Sequence, residues 1–164
     1  MRIIRQRKIV DDGFLHVPDG NELPASGDVI VSVERYLEQR DALRTRGSKL
    51  GVRLRSDQEA KVVADFVAEL SVIAIEFPNF KDGRGYTAAR LLRDRYGYTG
   101  QLRAVGDVLR DQMFLMLRCG FDQFALKHPE QRETALTAYR DFSEAYQTSV
   151  ERPVPLFARR EARA

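Results

Sequence analysis

A chain of 164 residues, 43% hydrophobic and 31% charged, is sized for one globular domain with its own core. No apolar run reaches the roughly 18 residues of a membrane span, and a net charge of +3 spread along the chain does not point to nucleic acid. One cysteine, Cys119, excludes an internal disulfide and a cysteine metal cage, which suits a reducing cytoplasm; the charged start, MRIIRQRKIVDDGF, carries no secretory signal.

Residues 1–27 read as a small β extension. RIIRQRKIV and FLHV flank Asp11-Asp12-Gly13, and an Asp-Gly turn between β-prone runs predicts a hairpin. The main domain, 28–150, begins with DVIVSV, a Val/Ile-rich buried strand. Ser32 is placed to cap a charged helix over about 34–46, stopped by Gly47. LGVRLR, from Leu50, is a second strand that turns Val52 and Leu54 one way and Arg53 and Arg55 the other. Ser56 and Glu59 have the spacing of a capping box for a helix carrying Val63, Phe66, Val67 and Leu70.

SVIAIEF, 71–77, is the central strand, ended by Pro78. A helix with Ala88, Leu91 and Leu92 follows and stops at Gly97. Gln101–Val105 is a fourth strand, followed by a helix with Leu109, Met113, Met116 and Leu117 that ends at Gly120. FDQFAL, 121–126, is a fifth strand. Pro129 suits the first turn of a last helix carrying Ala135, Tyr139, Phe142 and Tyr146. A Pro/Arg-rich tail, 151–164, offers Val154, Leu156 and Phe157 for docking on a neighbouring subunit, which allows a homodimer. Strand starts recur every ~20–30 residues, the length of a βα unit. The expected fold is therefore α/β: a predominantly parallel sheet of about five βα units, open or half-barrel-like.

Sites in such sheets form beyond the carboxyl ends of the strands. The third strand delivers Lys81, Asp82, Gly83, Arg84 and Gly85; the fourth delivers Gly106, Asp107 and Arg110. Gly83-Arg84-Gly85 before a helix suits an anion held by backbone N–H groups, Arg84 and Lys81. It equally suits a tight turn capped by Asp82. Asp107 is explained by an N-cap, or by facing Asp82 as acid and base. Arg103 and Arg110 complete the cationic set. No metal site is expected, because the fifth strand ends without a carboxylate. Of 27 Lys and Arg residues only five are lysine; a GC-rich genome accounts for this, and so does capture of carboxylate, sulfate or phosphate.

The segment Phe77 to Leu126 resembles domain-of-unknown-function family 934. It carries F-P-x-F-x-D-G-R-G-Y, then L-R-x-R-x-G, then G-x-L-R-A-V-G-D-V-x-R-D-Q and R-x-G-F-D-x-F. Members of that family are labelled as oxidoreductases involved in sulfite reduction. The resemblance implies a cytoplasmic role in assimilatory sulfur metabolism and cysteine biosynthesis, with sulfite reductase components as partners. It supplies no catalytic residues and no cofactor. Two functions follow: an accessory protein holding a small oxyanion or a protein partner, or an enzyme using Asp82 and Asp107 on a small anion. A structural dimer module is a third.

Overall fold

The computed structural model describes residues 1–161. A mixed sheet in the order β2-β1-β8-β7-β6-β5-β4-β3 curls into a half barrel. Its strands are β1 (Arg2–Arg5), β2 (Lys8–Asp11), β3 (Phe14–His16), β4 (Asp28–Ser32), β5 (Leu50–Leu54), β6 (Val72–Phe77), β7 (Gln101–Gly106) and β8 (Gln123–Phe124). The helices are α1 (Val33–Arg44), α2 (Arg84–Asp94), α3 (Met113–Cys119), α4 (Arg132–Ala135) and α5 (Leu156–Glu161), interspersed with 3-10 segments. No helix among the described residues is long and apolar enough to cross a membrane. Of the Pro/Arg-rich tail, residues 162–164 lie outside the described residues.

The pairings from β3 through β8 are parallel, and the two made by β1 are antiparallel. Five of the parallel strands, β4 to β8, are those expected from the sequence. The count rises to eight because the N-terminal segment supplies both sheet edges. β1 and β2 extend the β8 edge, and β3 joins β4 at the other. Between β2 and β3 lie only Asp12 and Gly13, so the edges there are at most about 11 Å apart along the chain. The hairpin turn is at Gln6-Arg7, both left-handed (φ 48° and 65°), and not at the Asp-Gly pair. Asp12-Gly13 instead carries the chain across the gap.

Strand alternation gives the sheet two different faces. Val29, Val31, Val52, Leu54, Ile73, Ile75, Phe77, Leu102, Ala104 and Phe124 belong to the large core shared with the helices. A smaller cluster, Ile30, Val72, Ala74 and Val105 with Phe14 against it, fills the concave side. Across that side runs one registered row: Ser32, Arg53, Ala74, Arg103, Gln123 and Arg5. Arg103 is fully buried there. It forms a bidentate pair with Asp12 (2.8 and 2.9 Å), donates to Gln123 Oε1 (2.9 Å) and stands over the Phe14 ring. His16 Nε2 lies 3.3 Å from its guanidinium.

Two helices depart from expectation. Residues 60–69 wind as a 3-10 helix whose buried Ala60, Val63 and Phe66 recur every third residue, a period that this tighter helix also satisfies. No capping box forms: Glu59 at the cap makes no side-chain bond, and Gln58 instead accepts from the Arg55 N–H (2.8 Å). The last helix breaks into 3-10, α and 3-10 pieces between Pro129 and Arg140, leaving Phe142 and Tyr146 exposed beyond it.

Removing one partner of a buried pair strands the other charge. Asp12→Ala should cost about 3–5 kcal/mol by urea denaturation, and adding Arg103→Met should recover part of the loss. Replacing Gln6-Arg7 by Asn-Gly should raise stability by about 1 kcal/mol, since two left-handed backbones are relieved. Burial first, then the nearby Arg103, lowers the His16 pKa from 6.5 to about 4; Arg53 adds to this and Asp12 opposes it. The unfolded chain therefore takes up the proton first as pH falls. This stability is complete above pH 6.5 and lost towards pH 4, up to roughly 3 kcal/mol. His16→Gln should flatten the pH profile of unfolding across that window.

Candidate functional site

The central junction begins where Pro78 ends β6. Asn79 Oδ1 accepts from the Lys81 N–H (3.0 Å), and the Asp82 N–H donates to Asn79 O (3.1 Å), folding a tight turn. Asp82 Oδ1 then accepts from the Arg84 backbone N–H (3.1 Å) and from Arg84 Nε (3.0 Å), while Oδ2 accepts from Arg84 Nη2 (2.7 Å). The same Nη2 donates to Ser56 Oγ (3.1 Å), tying α2 to the end of β5. The turn capped by Asp82 is therefore the arrangement present. Arg84 holds the Asp82 carboxyl well below the usual carboxylate range. So acidic a group is a poor proton acceptor near neutral pH.

The glycines divide. Gly83, at the N-cap of α2, has open space where a Cβ would point. At Gly85 a Cβ would come within 2.6 Å of the Phe77 ring, so that glycine sets the close approach of helix to sheet. Lys81 is exposed, and its ammonium pairs with no described residue.

The next junction is registered beside the first, with Phe77 opposite Gly106. Gly106 has φ 91°, and a Cβ there would meet the Phe77 carbonyl at 2.4 Å. Asp107 does not cap the following helix; Gln112 does, accepting from the Leu109 N–H (2.9 Å). Asp107 Oδ1 lies 3.0 Å from Lys127 Nζ, a charge pairing without the alignment of a hydrogen bond. Arg110 donates to Thr137 Oγ1 and pairs with Asp141.

Neighbouring strands thus bring the two junctions together, but their side chains diverge. Asp82 and Arg84 turn towards Ser56 after β5. Asp107 and Arg110 turn towards residues 127–141 after β8. Arg103 joins neither, because its donors are committed inside the sheet. The carboxyl end of the sheet also holds Arg53 and Glu76, 3.8 Å apart on adjacent strands; the alternation of LGVRLR fits either a wet face or a polar partner for Arg53, and the pairing supplies the partner.

Beside Arg84 lies an open groove of ≈ 790 Å³ between α2 and the segment after Ser56. Ala64, Ala88 and Leu91 contribute its apolar surface; Ser56, Lys61, Thr87 and Arg95 line it with Arg84. Asp57, Glu59 and Asp65 also line it, and Asp57 is taken by Arg55 (3.2 Å). Arg84 Nη1 makes no hydrogen bond among the described residues. With the hydroxyls of Ser56 and Thr87 and the Lys61 ammonium, it gives the groove donors for a small oxyanion. Sequence reading missed Lys61, Thr87 and Arg95, whose common surface exists only once two helices face each other.

No curated protein matches the chain. A family model described as a bacterial protein of unknown function (DUF934) matches residues 51–157, from β5 through α2 and the groove into α5. That span covers well over half of the sequence and includes both charged junctions, and the chain belongs to the DUF934 family.

Proposed function

We propose that the chain is an oxyanion-binding accessory protein of assimilatory sulfur metabolism, acting beside sulfite reduction. The observation that carries the oxyanion part is Arg84. Asp82 and Ser56 fix its guanidinium at the groove while Nη1 keeps its donors. Held in this way, the guanidinium loses little further freedom on meeting a ligand. The pathway rests on the family resemblance, and sulfite or sulfate is the oxyanion that fits it. Acid–base work by Asp82 and Asp107 has less support, since Asp82 is locked as an anion and Asp107 pairs elsewhere.

Calorimetry with sulfite and with sulfate tests the site. The wild type should bind one of them, and Arg84→Ala should weaken binding by roughly tenfold or more, as expected for a lost charge-assisted hydrogen bond. Arg84→Lys, which keeps the charge beside Asp82, should retain part of the affinity. No binding of either anion by the wild type, or equal affinity in Arg84→Ala, refutes the oxyanion reading. Co-purification with a sulfite reductase component, in cells grown on sulfate, tests the partner separately.

A further inference from the structure

The groove beside Arg84 is far larger than a sulfite or sulfate ion. At ≈ 790 Å³ it has the size of clefts that hold a whole organic ligand. Both of its walls are crossovers between parallel strands, 60–69 from β5 to β6 and α2 from β6 to β7. Both therefore run back from the carboxyl end of the sheet. On α2 the lining residues are Arg84, Thr87, Ala88, Leu91 and Arg95, one helix face at spacings of three and four. Along the axis Leu91 lies about 10 Å from Arg84, and Arg95 about 16 Å.

The lining changes character over that length. Donors gather at the open end, where Ser56 and Lys61 stand across from Arg84 and Thr87. Ser56 Oγ accepts from Arg84 (3.1 Å) and keeps its own proton to donate. In the middle two alanines, Ala64 and Ala88, keep longer side chains out of the groove, and Leu91 adds apolar surface. Asp65, Arg95 and Tyr96 make the far part polar again. Arg95 stands over the Tyr96 ring (5.8 Å) and donates to no described residue.

The carboxylates of the lining narrow the choice of ligand. Asp57 is taken by Arg55 (3.2 Å), whereas Glu59 and Asp65 have no partner among the described residues. An inorganic anion gains nothing from either. Hydroxyl and ring N–H groups do, because a carboxylate accepts from them. A ligand matched to this order carries an oxyanion, then hydroxyls, then a flat ring with a hydrogen-bonding edge.

We infer that the oxyanion held at Arg84 is the phosphate of a nucleoside 5′-phosphate. The phosphate accepts from Arg84, Ser56, Thr87 and Lys61, and the ribose hydroxyls donate to Glu59. The base lies between Ala64 and Ala88 against Leu91, with its edge towards Asp65, Arg95 and Tyr96. This rests on the oxyanion reading of the same groove and names the class of molecule that carries the oxyanion.

Calorimetry on the full chain with AMP, GMP, CMP, UMP, ribose 5-phosphate and sulfate tests this. At least one nucleotide should bind at least about tenfold more tightly than ribose 5-phosphate and sulfate. Its nucleoside, which lacks the phosphate, should be weaker by about tenfold or more, as for a lost charge-assisted contact. Arg84→Ala should weaken the nucleotide and sulfate alike, by roughly tenfold. Ala64→Leu, which fills the middle of the groove, should remove the nucleotide's advantage and leave sulfate binding unchanged, which also reports an intact fold. Asp65→Ala, at an exposed position, should weaken the nucleotide several-fold without weakening sulfate. If sulfate binds and no nucleotide binds more tightly, this inference falls while the oxyanion reading stands. If no anion of any kind binds, both fall. Nucleotide binding that survives Arg84→Ala, or that survives both Ala64→Leu and Asp65→Ala, also overturns the inference.

Discussion

Arg103 is the contact on which the shape of the sheet depends. It rises from β7, in the middle of the eight-stranded sheet, yet its bidentate partner is Asp12, in the two-residue link between the sheet's two ends. Asp12 is equally committed: its Oδ1 also accepts from the Phe14 N–H (3.1 Å) and shapes the start of β3. The guanidinium therefore fixes the link across the concave side and with it the curl of the half barrel. Lysine could not replace it, because three acceptors in different directions need a planar fork of donors. A buried pair of this kind contributes less to stability than to specificity. An apolar substitute fills the same space, but it does not dictate which segment crosses the opening.

With the concave side filled by Arg103, Phe14 and Ile30, the open groove lies at the rim. The rest of the arginine surplus follows the same pattern. Arg93 brackets three backbone carbonyls at the end of α2. Arg40 joins Glu69, which also accepts from the Tyr36 hydroxyl (2.6 Å), and so links α1 to the 60–69 helix. Arg110 reaches the segment after α4. In a domain whose helical segments are short and often 3-10, long planar side chains tie elements that regular packing would otherwise hold. Composition alone could not separate this use of arginine from ligand capture. Arg84 is distinguished by position, lining the groove with its guanidinium held by Asp82 and Ser56.

The parallel strands were legible because each is a short β-branched run followed by a helical pattern, and the Ser32 cap was legible because its partner is only three residues away. What escaped the sequence depends on distance. β3 pairs with β4 across a loop, and nothing local says that FLH belongs at one edge while RIIR belongs at the other. The Asp-Gly pair is the stronger turn signal, but register decides: Arg5 opposite Lys8 buries Ile3 and Ile4 and leaves Gln6-Arg7 as the turn. Ser56 has the spacing of a cap, yet its hydroxyl serves an arginine 28 residues away. The Asp82 turn was readable for the opposite reason, since its geometry closes within three residues. Arg103 looked like a rim cation because strand alternation says which face a residue takes, not whether that face is covered.

Helix α2 carries the groove. Arg84 and Thr87 stand near its start, and Arg93 stands at its end. Gly85 lets its first turn rest on Phe77, and Arg93 fastens its last turn to three carbonyls, so both ends are held to the sheet. A helix fixed in this way presents its polar groups without a further ordering cost on binding. The same fixing leaves it poorly suited to sliding or hinging between two positions, since a packed contact or a set of hydrogen bonds must break at either end.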